Sequence, residues 1–394
     1  MDTLKGLADI VADIGAERFV LDDGWFKGRR GDKAGLGDWT VDYEIYPKGL
    51  SPLIEHVNNL GLEFGIWFEP EMVNPDSDLY RAHPEWVLQT EGNQQLSFRN
   101  QLVLDLTRPQ VCEYLYKCVT DILLEYPTIT YIKWDMNRDI NHAGNALGKP
   151  AVSQQTQALY KLIDDIRAAH PNVEIESCSS GGARVDYGVL QHTDRVWTSD
   201  SNDALDRLSI QRGCSFFFPA EVMGAHVGPR DCHITGRHIS IEMRAAVSFF
   251  GHMGMEMDPR ELSKHEISSL KQIISLHKQH RGLIHSGKLV RLESDGNSTD
   301  FGIINHQKTQ ALFAYNSVLE SVRTMPKRYH FLGLDADKSY RLNLIWPLNL
   351  KQTSLSVLDK VEGQVFSGDA LMQFGMQLPI SFPQTSLIFE LNQV

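Results

Sequence analysis

Hydrophobic residues along the first part of the chain follow two alternating spacings. Stretches with apolar residues three or four positions apart predict amphipathic helices, and short apolar runs that end in polar residues predict buried strands. The first helical stretch covers residues 4–14, and a strand over Arg18–Asp22 follows it. This alternation continues to about residue 285. It is typical of an α/β protein built from βα units.

Seven of the apolar runs have the length and polar endings of parallel strands. They are Arg18–Asp22, Glu63–Phe68, Thr130–Asp135, Val173–Cys178, Arg195–Asp200, Val222–Val227 and Phe249–Met255. An eighth run, over Leu102–Leu106, is less regular. A TIM-type (β/α)8 barrel has eight strands in about 250 residues, which fits residues 1–285. The sequence therefore predicts such a barrel as the first domain.

After Gly287 the pattern changes to short runs in which apolar and polar residues alternate. The clearest runs are Lys288–Leu292, Gln310–Asn316, Tyr340–Ile345 and Thr385–Leu391. Alternation with a period of two, broken by turn residues, indicates half-buried antiparallel strands. We therefore expect a C-terminal antiparallel β-sandwich domain over residues 286–394.

The charge of the chain excludes several classes of partner. Lys and Arg number 38 and Asp and Glu number 50, so the formal net charge is −12. An acidic surface argues against binding to nucleic acid or to an anionic membrane. No apolar window is long enough to span a membrane, and the first residues do not resemble a secretion signal. The five cysteines lack CxxC spacing, so we expect reduced thiols and a cytoplasmic location. A homo-oligomer is left open.

Polar residues cluster where the predicted strands end, and in a barrel these ends carry the functional groups. The runs concerned are Phe19–Trp25, Trp67–Glu71, Tyr131–Asn137, Glu176–Gly182 and Val196–Asp200. Carboxylates accept hydrogen bonds from hydroxyl groups, and indole rings cover the apolar faces of sugars. A single Asp at a strand end is as often the N-cap of the next helix. Five such ends together favour a site for a neutral, polyhydroxylated ligand such as a sugar.

Strand alternation assigns these side chains to faces. Lys133 and Asp135 share one face of their strand, and we expect Trp134 and Trp197 to point away from the site and pack in the core. If the strands of Asp135 and Asp200 lie two positions apart, the two carboxyl groups approach to about 5 to 5.5 Å, the separation of a retaining glycosidase. Lys133, on the same face as Asp135, is expected to keep Asp135 ionised.

Other candidate chemistry has simpler explanations. Cys178 is more often an inert buried thiol than a nucleophile. The histidines at 226, 233, 238 and 252 lack the spacing of a metal site, and no GxGxxG motif follows a strand. We therefore expect neither a metal nor a cofactor.

Long motifs in one order give the chain a resemblance to a known family. They are LDDGWF, GIWFEPEMVNPDSDLY, HPEWVL, LVLDLTRP, YIKWDMNR, ESCSSGGAR, WTSD and MGAHVG. With these the sequence resembles glycoside hydrolase family 36, the bacterial-type α-galactosidases. The resemblance implies a retaining enzyme in which Asp135 is the nucleophile and Asp200 the acid/base. It also implies a galactose pocket formed by Asp22, Asp23, Trp67, Arg99, Lys133, Cys178 and Gly181.

The start of the chain differs from the family pattern. Family members carry an N-terminal β-sandwich and a first barrel strand before the segment with which this sequence begins. We therefore expect a barrel with seven of its eight strands, in which Leu102–Leu106 belongs to a loop excursion rather than to the barrel.

The function expected from residues and resemblance together is removal of terminal α-linked galactose from oligosaccharides of the melibiose and raffinose type by double displacement. Two related activities stay open, α-N-acetylgalactosaminidase and a galactosyl transferase of the raffinose-synthase kind. Space near Cys178–Gly182 distinguishes the first of them, and acceptor specificity distinguishes the second. A different class of hypothesis is a catalytically silent, truncated fragment.

Overall fold

The structure is a computed structural model, which describes residues 1–293, 296–320, 325–347 and 358–394. The chain divides into two compact units, Met1–Asp200 and Ser201–Val394. This division rests on spatial contacts, and the domain boundary predicted at residue 285 stays a prediction.

The first unit combines helices with a parallel sheet. Its helices are α1 (Asp2–Ile14), α2 (Ser51–Asn59), α3 (Asp78–Ala82), α4 (Pro109–Glu125) and α5 (Val152–Ala169). Its strands are β1 (Arg18–Leu21), β2 (Glu63–Phe68), β3 (Met72–Val73), β4 (Leu102–Val103), β5 (Ile129–Trp134), β6 (Glu174–Ser177) and β7 (Arg195–Trp197). The parallel strands lie in the order β1, β2, β5, β6, β7.

The run over Leu102–Leu106 lies outside this parallel sheet. Its residues Leu102–Val103 form β4, which pairs antiparallel with β3 in a separate two-stranded sheet. This pairing agrees with the expectation of a loop excursion.

Burial explains why the parallel strands contain almost uninterrupted apolar runs. All residues from Phe64 to Phe68 in β2 are buried, because neighbouring layers cover both faces of a parallel sheet. In α4 the side chains of Val111, Leu115, Val119 and Ile122 recur at helical spacing and are buried in the same core. Full burial of one such side chain contributes about 1.5 to 3 kcal/mol.

The second unit contains a parallel strand pair and an antiparallel sheet. Its helices are α6 (Ala204–Cys214), α7 (Ile241–Ser248), α8 (Lys264–Ser286), α9 (Leu358–Val361) and α10 (Gly368–Gln373). Its strands are β8 (Met223–Val227), β9 (His252–Met255), β10 (Lys288–Arg291), β11 (Phe301–Ile304), β12 (Gln310–Ser317), β13 (Arg328–Tyr329), β14 (Ser339–Trp346), β15 (Val365–Ser367), β16 (Met376–Gln377) and β17 (Thr385–Gln393).

The strands β8 and β9 pair in parallel, as predicted, but β9 begins three residues later than expected. Phe249, where the strand was predicted to begin, is instead the C-cap residue of α7. The capping box formed by Ser263 and Glu266 is present at the start of α8.

The C-terminal strands are antiparallel, as the alternating pattern predicted. The larger sheet has the order β10, β11, β12, β17, β14, β15, and β13 pairs with β16 in a smaller sheet. Phe313 and Phe389 from the larger sheet pack in one core with Tyr329 and Met376 from the smaller sheet. The second layer of the predicted sandwich is therefore a two-stranded sheet.

None of the described helices is long and apolar enough to cross a membrane.

Candidate active site

The carboxylate of Asp135 lies directly after β5 and is 6% exposed. The backbone N–H of Asp135 donates to the carbonyl oxygen of Phe68 at 2.7 Å, which continues the pairing of β5 with β2. Its Oδ1 accepts from the N–H of Met136 at 2.8 Å, and its Oδ2 accepts from Trp67 Nε1 at 3.1 Å and Asn137 Nδ2 at 2.6 Å. Donors on both oxygens hold the orientation of this carboxylate. This environment suits a nucleophilic carboxylate.

Lys133 forms its ion pair with Asp22, which follows β1. Lys133 Nζ donates to Asp22 Oδ2 at 2.8 Å, and 16% of the lysine side chain is exposed. Burial alone lowers the pKa of Lys133, but negative charge around it, first that of Asp22, raises this pKa well above its usual range. The permanently charged ammonium group orients Asp22, whereas the donors on Asp135 are Met136, Trp67 and Asn137.

Asp23 is oriented by a two-point ion pair with Arg29. Arg29 Nε donates to Asp23 Oδ1 at 2.9 Å, and Nη2 donates to Oδ2 at 2.8 Å. The guanidinium group is buried, while 40% of the Asp23 side chain is exposed. A planar guanidinium group fixes the plane of the carboxylate it binds. Asp23 therefore presents an oriented, accessible carboxylate that suits sugar hydroxyl groups.

The loop after β6 packs closely against the segment that ends at Asp200. Gly181 has φ +84°, and a Cβ atom at this position would lie 2.7 Å from the backbone nitrogen of Asp200. Glycine is needed here both for the left-handed conformation and for the close approach. This contact places Asp200 beside the loop that begins with Cys178.

Cys178 is buried, with 1% of the residue exposed. Its backbone N–H donates to the carbonyl oxygen of Trp134 at 2.7 Å. Burial, and then the negative charge of Asp135, raises the pKa of the Cys178 thiol. A thiol that resists ionisation is a poor nucleophile, so the structure supports the interpretation of Cys178 as an inert side chain next to Asp135.

Trp197 contacts Asp200, contrary to the expectation from strand alternation. Its Nε1 donates to Asp200 Oδ1 at 2.9 Å. The prediction was wrong because β7 ends at Trp197, so the alternation of a strand does not extend through residues 198–200. Trp134 does point elsewhere, since its Nε1 donates to Glu71 Oε1 at 3.0 Å. Both indoles are buried, as predicted.

Arg99 lies in a tight turn closed by Phe98 and Gln101, whose backbones exchange hydrogen bonds. Arg99 has φ +51° and Asn100 has φ +59°, so two consecutive residues other than glycine are left-handed. Such strain persists where surrounding contacts enforce it. One of these contacts is the buried amide of Asn74, whose Nδ2 donates to the carbonyl oxygen of Asn100 at 2.7 Å.

Sequence reasoning missed two residues that surround Asp135, namely Glu69 and Asn137. Glu69 is 1% exposed, and its Oε1 accepts from the backbone N–H of Asn137 at 2.7 Å. Burial, and then the charge of Asp135, raises the pKa of Glu69 to about 8. The available signal was position, because both residues belong to polar runs that follow β2 and β5.

Among the residues that the structure describes, no group of three or more His, Cys, Asp and Glu side chains has an arrangement that could hold a metal ion. The hydrogen bonds reported above instead surround Asp135 with donors from its own loop and from β2. The described site offers carboxylates, an ammonium group and indoles, which together suit acid–base and nucleophilic chemistry on a sugar.

The sequence matches two family models, Melibiase over residues 1–287 and the Glycosyl hydrolase family 36 C-terminal domain over residues 299–391. It is 44% identical over 400 residues to an alpha-galactosidase of Escherichia coli, with 100% of this chain and 56% of the relative covered. It is 38% identical over 386 residues to alpha-galactosidase AgaA of Geobacillus stearothermophilus, with 96% and 50% covered. The chain therefore spans about half the length of these curated relatives.

A solved structure supports the same relationship. The crystal structure of the GH36 alpha-galactosidase AgaA from Geobacillus stearothermophilus matches with a TM-score of 0.91 and 36% sequence identity, covering 100% of this chain and 53% of that one. This similarity confirms the predicted fold class at the level of a TIM-like arrangement of parallel strands and helices followed by an antiparallel β domain.

Proposed function

The chain belongs to the melibiase family of glycoside hydrolase family 36, and we propose that it is the catalytic part of a retaining exo-α-galactosidase. Its substrates are oligosaccharides with a terminal α-linked galactose, of the melibiose and raffinose type. Structures of AgaA variants in complex with raffinose and with stachyose support this substrate class. The observation that carries the proposal is the carboxylate of Asp135, which is buried, bound by donors on both oxygens and held at the end of β5.

The reaction uses two carboxyl groups in two steps. Asp135 attacks the anomeric carbon while Asp200 donates its proton to the departing glycosidic oxygen, which gives a galactosyl-enzyme and releases the remaining sugar. Asp200, now a carboxylate, takes a proton from water, and the water oxygen displaces Asp135. Asp200 is exposed, so the leaving sugar and the water can reach it.

The remaining residues bind the galactosyl group. The proposed set is Asp22, Asp23, Trp67, Arg99, Lys133, Cys178 and Gly181. Oriented carboxylates at Asp22 and Asp23 accept hydrogen bonds from sugar hydroxyl groups, and Arg99 donates from its turn. Gly181 lets the 178–182 loop approach Asp200 closely.

We also propose a cytoplasmic location, on the basis of the cysteine pattern, and a barrel domain over residues 1–285 followed by a C-terminal domain over residues 286–394. Assembly into a homo-oligomer is compatible with this proposal, and light scattering of the purified chain measures it.

Hydrolysis of nitrophenyl α-galactoside by the purified chain tests the function, with the α-N-acetylgalactosaminide analogue as comparison. We expect turnover of the galactoside and, in proton NMR spectra, α-galactose as the first product. Faster turnover of the acetamido sugar favours an α-N-acetylgalactosaminidase, and transfer to an added sugar in preference to water favours a transferase. No turnover of either substrate favours a silent fragment.

A further inference from the structure

A second buried carboxyl group lies beside Asp135 and has no part in the proposed mechanism. Glu69 accepts the backbone N–H of Asn137, and the side-chain amide of that same Asn137 donates to Asp135. Glu69 is 1% exposed and Asp135 is 6% exposed. Two carboxylates that accept hydrogen bonds from the same residue lie close together, and in a site with little water their negative charges repel each other strongly. The pair is therefore expected to hold one proton.

The hydrogen bonds indicate which carboxyl group holds that proton. Asp135 accepts from Met136 N–H, Trp67 Nε1 and Asn137 Nδ2. Glu69 accepts from the N–H of Asn137 and, at 3.2 Å, from a side-chain amide. Asp135 thus has more donors and more exposure than Glu69, and fewer donors and deeper burial disfavour a charged carboxylate. The neutral form is therefore favoured at Glu69.

We propose that Glu69 is a positioning residue, which stays protonated in the working enzyme and holds Asn137 so that its amide donates to an ionised Asp135. The proposal rests on the proposed function of Asp135 as nucleophile. Ser180 supports the same orientation, because its hydroxyl group donates to Asn137 Oδ1 at 3.1 Å and leaves Nδ2 to face Asp135.

A neutral carboxyl group needs an acceptor for its own O–H, and one is close at hand. Gln101 donates from Nε2 to Glu69 Oε2, while its Oε1 is buried and has no hydrogen-bond partner among the described residues. The two ends of a side-chain amide have nearly the same shape, so the amide of Gln101 fits its site in either orientation. When the amide of Gln101 is turned through 180°, its Oε1 accepts the O–H of Glu69.

The charges around Glu69 set its titration. Charged groups on the neighbouring segments include Asp135, Arg99, Arg138 and Glu71. Burial and Asp135 raise the pKa of Glu69 to about 8, against the lowering effects of Asn137 and Arg99. The negative charge of Glu71 is balanced by Arg184, whose Nη1 lies 2.7 Å from Glu71 Oε1. Glu69 is therefore neutral below that pH, and above it a second negative charge appears beside Asp135.

The pH dependence of kcat/KM tests this proposal with a dinitrophenyl α-galactoside, whose leaving group needs little protonation and so removes the acid step from the profile. We expect kcat/KM of the wild-type chain to fall above the pKa of about 8. Glu69→Gln cannot ionise and is expected to lack this fall. Glu69→Ala removes the acceptor of the Asn137 N–H and is expected to lose about 100-fold at every pH, as for a displaced nucleophile.

Glu71→Gln is the matched control, because it alters a buried glutamate two residues away that has its own counter-ion. This variant is expected to keep the alkaline fall of the wild type, whatever its absolute rate. An alkaline fall in Glu69→Gln at the same pH as in the wild type overturns the proposal.

Infrared difference spectroscopy measures the proton without turnover. At pH 7 the wild-type spectrum minus that of Glu69→Gln should show the C=O stretch of a protonated carboxyl group, and Glu71→Gln should retain that band. Absence of the band overturns the proposal even if the chain hydrolyses α-galactosides. A chain that shows the band but hydrolyses no galactoside contradicts the proposed function and supports the protonated state of Glu69.

Discussion

Lys133 donates to Oδ2 of Asp22 across 2.8 Å, although Asp135 lies only two residues further along the chain. The contact joins the ends of β1 and β5, since Asp22 directly follows β1 and Lys133 belongs to β5. Its consequence is that the ammonium group fixes a carboxylate proposed to bind the sugar, while Asp135 depends on uncharged donors.

Lys133→Met should therefore affect substrate binding more than bond cleavage. We expect KM to rise about tenfold, because a hydrogen bond to a charged group contributes about 1.5 to 3 kcal/mol. Steady-state kinetics measure the split between KM and kcat. Lys161→Met removes an exposed helix-surface pair with Asp165 and is the control, for which no change is expected. If the effects of Lys133→Met and Asp22→Asn simply add, the two residues do not act as a pair.

Asp135→Gly should remove the nucleophile and lower turnover by more than about 1,000-fold. Added azide is expected to restore activity and to yield β-galactosyl azide, since the anion attacks from the side left empty by the carboxylate. NMR of the product identifies the anomer. Asp139→Gly, a change at an exposed residue of the same loop, should keep its turnover. An α-configured azide contradicts the assignment.

Asp200→Ala should lower the rate of hydrolysis most for substrates whose leaving groups need protonation. We expect a loss of about 100- to 10,000-fold with melibiose and a much smaller loss with a dinitrophenyl galactoside. The control is Asp203→Ala, because Asp203 caps α6 by accepting the N–H groups of Leu205 and Asp206. Asp203→Ala should lower the melting temperature, and any loss of its activity should be the same for both substrates. Equal losses on both substrates for Asp200→Ala indicate a structural role.

Gly181→Ala should displace the segment that carries Asp200. Left-handed backbone disfavours alanine by about 1 to 2 kcal/mol, and at Gly181 the added Cβ also meets the backbone nitrogen of Asp200. Gly61 separates these two effects, because its φ of +81° is similar but a Cβ there has open space. We expect Gly61→Ala to lower thermal stability only, and Gly181→Ala to lower kcat as well. Equal kcat values in the two variants contradict this role of Gly181.

Asn74→Asp should loosen the turn that presents Arg99. The amide of Asn74 donates to the carbonyl oxygens of Asn100 and Asp32, and a carboxylate cannot donate to either. Leaving such a buried group without its partner costs about 1 to 3 kcal/mol, which chemical denaturation measures.

A rise in KM should accompany this loss of stability, because the turn is proposed to hold a sugar-binding residue. Asn58→Asp changes an amide with one exposed hydrogen bond and should alter stability by less than about 0.5 kcal/mol. A stability loss at Asn74 without any change in KM separates the turn from substrate binding.

Local patterns in the sequence were sufficient to predict several of the elements. The predicted strand over Glu63–Phe68 matches β2 residue for residue, because apolar spacing and length depend only on near neighbours in the chain. The capping box of Ser263 and Glu266 was also predicted correctly, because its two residues are only three positions apart in the chain. The start of β9 was predicted wrongly at Phe249, because a buried aromatic residue at a helix end has the same apolar character as one in a strand.

The sequence by itself determined which chemical groups stand at the ends of the strands, including Asp22, Asp135 and Asp200. Only the tertiary structure decided their partners. Lys133 and Asp22 are 111 residues apart in the chain, and Glu69 and Asn137 are 68 apart, so no local pattern records either contact. Strand alternation orients a side chain only while the strand lasts. Beyond its last residue, the packing of loops determines which donor meets which carboxylate, and burial then determines which carboxyl group keeps its proton.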